Sequence, residues 1–214
     1  MHIEVLVEDK SGAKLVEILM PHVIGEPHTW RIHPYKGIGQ IPRELTSHSD
    51  PAKRALLNRL PNLLGGYGKT PGIDAVVVVL DNDRRNCKEF LAELNSILMR
   101  CSPAPRTLFG LAIEEMEAWF LGDQQALLAA YPRAKRNVLS RYQQDSICST
   151  WELLADAVYP GGYAAIRKAG WPLPGQIKHE WAEKIGPHMD VEINASHSFG
   201  KFRDGVRRLA ARMG

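Results

Sequence analysis

The segment AVVVVL at residues 75–80, which leads into Asp81, Asn82 and Asp83, decides the fold. An unbroken apolar run rich in β-branched residues is typical of a central strand that is covered on both faces. We therefore predict that residues 75–80 lie in the middle of a sheet. The run is also far shorter than the roughly 20 apolar residues that a membrane helix needs, so a transmembrane protein is not expected.

Strand-like and helix-like segments alternate on either side of this run. Such alternation predicts βαβ units, and therefore an α/β protein with a mostly parallel sheet flanked by helices. One helix is predicted to begin with Asp50 as its N-cap and Pro51 at its first position. The other predicted strands are residues 2–7, 29–33 and 106–113, and the other predicted helices of this part are residues 11–21 and 85–100.

Helical patterns dominate after residue 123. We therefore divide the chain into an α/β core at residues 1–123 and a helical C-terminal part at residues 124–214, which is expected to pack on the same core. Residues 160–175 are rich in glycine and proline and are predicted to form a mobile surface connection. The helices predicted in this part are residues 124–130, 150–158, 177–185 and 199–213.

Composition excludes several classes of protein. With 44% hydrophobic and 24% charged residues, the 214-residue chain has the balance of a globular protein. The N-terminus lacks the features of a secretory signal, so a cytoplasmic protein is expected. Cys87, Cys101 and Cys148 lack CxxC spacing, which argues against a disulfide framework or a zinc site. The net charge of +3 would suit a polyanionic partner without requiring one.

Acidic residues follow three of the predicted strands. Glu8 comes after the first strand, Asp81 and Asp83 come after residues 75–80, and further acids come after the strand that ends at residue 113. The carboxyl ends of parallel strands meet at one edge of a sheet, so these carboxylates are expected to converge. Clustered carboxylates repel one another unless a cation lies between them. Oxygen-only ligands favour Mg²⁺ or Mn²⁺.

The acids after the last strand do not all contribute equally to this prediction. Glu114 and Glu117 are three apart at the start of a predicted helix and should share a face, whereas Glu115 should point elsewhere. An acid after a strand is also a common helix N-cap, which is the alternative role for Asp83. The predicted metal ligands are Glu8, Asp81, Asp83, Glu114 and Glu117.

Four motifs carry a family resemblance: VEDKSG at residues 7–12, LDNDRRNC at 80–87, AIEEMEAWFLGD at 112–123 and NASHSFGKF at 194–202. The first two resemble the toprim fold shared by topoisomerases, primases and the overcoming-lysogenization-defect nucleases. Taken together, the four are more closely similar to a family of small stand-alone toprim-like bacterial proteins of unassigned function. This resemblance spans most of the chain.

The resemblance implies a metal-dependent nuclease, or a related phosphodiester-transfer enzyme, that acts on DNA or RNA in a bacterial defence or mobile-element setting. Glu8 would act as general acid or base and as metal ligand, Asp81 and Asp83 would coordinate Mg²⁺, and Glu117 would match the later acidic position of the nuclease branch. Two ions roughly 3.5–4 Å apart would activate water and stabilise the leaving oxygen. Asp9 stands where many toprim proteins have glycine, so the turn after Glu8 is expected to differ.

An anionic substrate also needs cations. The candidate phosphate-binding residues are Arg84 and Arg85, next to the Asp-x-Asp motif, and Lys184 from the helical part; Lys178 is the candidate catalytic cation. The Ser/His-containing motif near the C-terminus lacks a GxSxG elbow, so Ser198 is predicted to be a helix cap and not a nucleophile.

Two other functions stay open. A phosphatase of the haloacid-dehalogenase type would use Asp81 as nucleophile and Asp83 as acid or base, although Arg84 follows where that family has a small hydroxyl or β-branched residue. A non-catalytic module that binds nucleic acid or a partner protein would keep the fold without turnover. The sequence does not distinguish DNA from RNA, nor does it reveal a homo-oligomer.

Overall fold

The computed structural model describes residues 1–40, 55–147 and 149–211. Within these residues one fully parallel sheet forms, with the strand order β2-β1-β3-β4. The predicted α/β class with a parallel sheet is confirmed, and residues 75–80 lie in an inner strand as expected. The strands are β1 (His2–Val7), β2 (Thr29–Pro34), β3 (Ala75–Asp81) and β4 (Thr107–Ala112).

Helices connect and follow these strands. The prediction of a surface connection at residues 160–175 was wrong, because this segment holds a helix and the start of the next. The helix start predicted at Asp50 and Pro51 lies outside the described residues, as does Cys148. The helices are α1 (Lys10–Val23), α2 (Leu56–Tyr67), α3 (Cys87–Met99), α4 (Glu117–Leu121), α5 (Gln124–Ala130), α6 (Arg136–Leu139), α7 (Thr150–Val158), α8 (Gly162–Ala169), α9 (Leu173–Ile185) and α10 (His197–Ala211).

Each face of the sheet is covered by a separate hydrophobic cluster, because successive strand residues point to opposite faces. Val77 and Val79 face α1, α10 and the other helices of the C-terminal part, whereas Val76 and Val78 face α2 and α3. The helices after residue 123 therefore share one core with β1 and β3. Among the described helices, none has both the length and the apolar character that crossing a membrane requires.

The start of α10 is fixed by a hydrogen-bonded network of serines and one aspartate. Ser196 Oγ accepts a hydrogen bond from Phe199 N at 3.1 Å, so Ser196 is the capping residue and the prediction for Ser198 was wrong by two positions. Ser198 Oγ accepts from Trp119 Nε1 at 3.0 Å and donates to Asp145 Oδ1 at 3.0 Å. These contacts hold α10 against α4 and give Ser198 a structural role.

Candidate metal centre

Glu8 and Asp81 meet at the carboxyl edge of the sheet. Glu8 N donates a hydrogen bond to Val79 O at 3.3 Å, which continues the pairing of β1 with β3 by one residue. Glu8 Oε2 then accepts a hydrogen bond from Asp81 N at 3.1 Å. The structure thus brings together two acids that are 73 positions apart in the chain, at the edge where the strand ends predict them.

Asp81 has a carboxylate oxygen without a partner. Its Oδ1 atom is buried and accepts no hydrogen bond within the part of the chain that the structure describes. Burial raises the pKa of Asp81 well above its usual range, and the negative charges of Glu8 and Glu117 raise it further, whereas the nearby ammonium of Lys178 lowers it. A buried acceptor among acids is the environment that a bound cation would stabilise.

The pKa of Glu8 is raised as well. Burial, followed by the negative charges of Asp83 and Asp9, raises the pKa of Glu8 to about 7, although the hydrogen bond from Asp81 N and the charge of Arg85 oppose the change. Near neutral pH Glu8 is therefore present both as the acid and as the carboxylate. A divalent cation would compete directly with that proton.

Asp83 lies beside this pair but faces solvent. Its side chain is 51% exposed, its backbone has a positive φ of 49°, and its carboxylate lies 3.7 Å from the Arg85 guanidinium. The N-cap of α3 is Asn86, whose side chain accepts from the backbone at Lys88, so the alternative role of Asp83 as a cap does not apply. Asp83 can therefore reach a ligand that approaches from outside.

Glu114 has a different function from the one predicted. Its two carboxylate oxygens accept hydrogen bonds from Ser149 N and Thr150 N, both at 2.9 Å, and so cap the first turn of α7. Glu114 has a left-handed backbone with a φ of 59°, and α4 begins only at Glu117. Glu114 and Glu117 therefore do not share a helix face, and we remove Glu114 from the predicted metal ligands.

Glu115 and Glu117 instead share the cation Lys178. Lys178 Nζ donates to Glu115 Oε2 at 3.1 Å and lies 3.4 Å from the Glu117 carboxylate. The expectation that Glu115 points away was wrong, because residues 114–116 precede the helix. Burial, followed by the charge of Glu117, raises the pKa of Glu115 to about 7 against the opposing effect of Lys178.

Lys178 is a permanent positive charge in this structure. Burial lowers its pKa, but the carboxylates of Glu117, Glu115 and Asp81 raise it more, and the net change is upward. Its Nζ also lies 5.4 Å from the centre of the Trp151 ring. A lysine with a raised pKa keeps its proton at neutral pH, so Lys178 is not suited to act there as a general base.

A small cavity of about 10 Å³ lies between Asp81, Glu117 and Lys178, bordered by the start of α1. This is room for roughly one water molecule. Asp9 borders it as the N-cap of α1, accepting from Gly12 N at 2.7 Å and from Ser11 Oγ at 2.6 Å. A capping aspartate, Asp9, therefore forms the turn after Glu8, at the position where many toprim proteins have glycine.

The predicted phosphate-binding residues separate into two groups. Arg85 belongs to the site, since its charge acts on the pKa of Glu8 and its guanidinium lies 4.6 Å from the centre of the Phe90 ring. Arg84 is exposed beside it. Lys184 instead pairs with Glu180 and lies 5.6 Å from the centre of the Tyr131 ring. The structure therefore does not bring Lys184 to the site of Glu8 and Asp81.

The residues present fit a Mg²⁺ site that water and substrate complete, and they do not fit a site formed by protein ligands alone. Within residues 1–40, 55–147 and 149–211, no three His, Cys, Asp or Glu side chains are arranged to hold a metal ion by themselves. Mg²⁺, however, is commonly held by one or two carboxylates together with waters and substrate phosphates. Glu8 and Asp81, with the unpartnered Asp81 Oδ1, match that arrangement.

Comparisons with protein-family models, with curated proteins and with solved structures gave no significant match to this chain. What the site can do therefore follows from its own residues.

Proposed function

We propose that this chain is a Mg²⁺- or Mn²⁺-dependent nuclease, or a related phosphodiester-transfer enzyme, acting on nucleic acid. One observation carries the proposal: Glu8 Oε2 contacts Asp81 N while the buried Asp81 Oδ1 has no partner within the described residues. The resemblance of VEDKSG and LDNDRRNC to toprim motifs supports the same function. Glu8 and Asp81 would hold the ion, and Asp83 would complete its surroundings from the solvent side.

Each residue around this pair has a role that suits phosphodiester chemistry. A divalent ion would supply Lewis-acid stabilisation of the charge that develops on phosphate oxygens. Before the ion binds, Glu8, with a pKa of about 7, can accept or donate a proton near neutral pH, and binding of the ion would displace that proton. Lys178 offsets part of the negative charge on the inner side of the site, and Arg84 and Arg85 would attract the anionic backbone of a nucleic acid.

The substrate would approach from the side of Asp83. The cavity beside Lys178 admits little more than one water, so a nucleotide cannot enter there. Asp83 and Arg84 are exposed and follow directly after β3. We therefore assign the turn at residues 82–86 to the substrate-facing side of the site.

A non-catalytic binding module is the second candidate. The ion pairs of Lys178 favour it. Its ion pairs with Glu115 and Glu117 already neutralise part of the acidic cluster without a metal. The phosphatase hypothesis is less favoured, because Arg84 and Arg85 follow Asp83 where the haloacid-dehalogenase type has a small hydroxyl or β-branched residue. Detection of a phospho-aspartate at Asp81 would reverse that order.

The test uses purified protein with supercoiled plasmid, linear DNA and RNA, each with EDTA, Mg²⁺ or Mn²⁺. We expect metal-dependent cutting that Glu8→Ala and Asp81→Ala each abolish while circular dichroism stays unchanged. Glu17→Ala is the matched control, since Glu17 is 63% exposed on α1 and pairs only with Lys14 among the described residues. Undiminished cutting in both site variants contradicts the proposal, and binding without turnover in every metal favours the module.

A further inference from the structure

The outer edge of β4 carries unpaired backbone groups. Val76 N donates to Arg106 O at 2.8 Å and Asn82 N donates to Ala112 O at 2.9 Å, so the even-numbered positions of β4 face β3. The backbone N–H and C=O groups of the alternating positions, Thr107, Phe109 and Leu111, therefore point away from the sheet. No other strand of the described chain lies beside them.

A groove of about 380 Å³ runs along this edge between α3 and α10. Its floor contains the partly exposed apolar side chains of Phe109, Leu111 and Ile113. Leu91 of α3 adds a side chain that is 38% exposed. The groove therefore offers both backbone hydrogen-bonding groups and apolar contacts along one line.

The borders of this groove are positively charged. Lys88 on α3 and Lys201 on α10 are exposed, and neither forms an ion pair within the described residues. Asp145 is the acid among the described lining residues, and its carboxylate is already hydrogen-bonded to Ser196 Oγ and Ser198 N, both at 2.8 Å. Two lysines against one aspartate leave the described lining of the groove with an excess of positive charge.

We propose that the β4 groove binds an extended, acidic peptide segment of a partner protein as an added strand. An extended peptide supplies the alternating donors and acceptors that the free positions of β4 need, and its acidic side chains would pair with Lys88 and Lys201. A second copy of this chain would place the same basic borders against each other. A nucleic acid strand has no alternating amide pattern to match the strand edge.

The first test measures binding of synthetic peptides by fluorescence anisotropy. The probe is a peptide of about ten residues with alternating valine and threonine and glutamates at both ends, compared with versions that carry glutamine or lysine there. We expect the glutamate peptide to bind best and the lysine peptide to show no binding. Lys88→Glu combined with Lys201→Glu should weaken the glutamate peptide roughly tenfold, whereas Lys69→Glu combined with Lys168→Glu, both exposed elsewhere, should not.

The second test uses hydrogen exchange on the unmodified protein and so does not depend on any variant folding. The amides of Phe109 and Leu111 should gain protection when the glutamate peptide is added, while the Gly110 amide, which faces β3, should be protected throughout. Equal affinity for the acidic and basic peptides, or no added protection, overturns the proposal. It is also overturned if a dimer of the chain, or a single-stranded oligonucleotide, protects these amides better than the peptide.

Discussion

Replacing Glu8 by glutamine should make the metal-free protein more stable and at the same time remove its response to Mg²⁺. The pKa of Glu8 is about 7 in the folded chain against an ordinary value of 4.5, because the carboxylate is buried near other acids. Each pH unit of difference corresponds to about 1.36 kcal/mol, so ionised Glu8 opposes folding at pH 8 by at most about 3 kcal/mol. Glutamine keeps an acceptor for Asp81 N without the charge.

We therefore expect Glu8→Gln to raise the free energy of unfolding at pH 8 in EDTA by about 1 to 3 kcal/mol. The gain should shrink as the pH falls toward 5, where the wild-type side chain is protonated in the folded state. Urea titrations followed by circular dichroism measure both values. Glu17→Gln, a change at an exposed site on α1, should alter stability by less than about 1 kcal/mol.

Mg²⁺ provides the second half of this prediction. Wild-type protein should gain about 2.7 kcal/mol at a Mg²⁺ concentration of about 100 times the Kd, and Glu8→Gln should gain almost nothing. A variant that is less stable than wild type at pH 8 in EDTA would refute the reasoning about the buried charge. Equal stabilisation of both proteins by Mg²⁺ would refute the assignment of Glu8 as a ligand.

Metal-free wild-type protein should lose about 2 to 4 kcal/mol of stability as the pH rises from 5 to 8. The reason is that folded Glu8 and Glu115, each with a pKa of about 7, bind protons more tightly than the unfolded chain does. Urea titrations that show a rise in stability over this range would contradict the prediction. Lys178→Met should lower stability at pH 8 by about 3 kcal/mol, since it leaves Glu115 and Glu117 without their cation, and calorimetry that shows no loss would exclude that role. Glu114→Gln should lower the free energy of unfolding by about 1 kcal/mol through the weakened cap of α7 and leave the Mg²⁺ response intact; loss of that response would restore Glu114 as a ligand.

The fold and the meeting of Glu8 with Asp81 could be predicted because both depend on local patterns. The run AVVVVL indicates an inner strand through composition alone, and parallel strands necessarily place their carboxyl ends at one edge. Glu8 and Asp81, which lie at the ends of the neighbouring strands β1 and β3, therefore meet at that edge.

The remainder of the site depends on features that periodicity does not encode. The left-handed backbone of Glu114 ends any helical register there, and this conformation is uncommon for a residue other than glycine. Glu114 consequently turns to α7, and Glu115, which was expected to point elsewhere, lies beside Lys178 together with Glu117. Ser196 and Ser198 are both possible caps from the sequence, and Asp145, 51 positions from Ser196, accepts hydrogen bonds from both, a contact that sequence patterns do not encode.

We propose that the carboxylates of Glu8 and Asp81 bind one divalent cation between them. Anomalous diffraction from crystals grown with Mn²⁺ locates such an ion directly. We expect an anomalous peak at about 2.1 Å from a carboxylate oxygen of each residue, absent from crystals of Glu8→Gln grown in the same way. An anomalous peak at another position, or no peak between these residues at saturating Mn²⁺, would contradict the assignment of Glu8 and Asp81 as ligands.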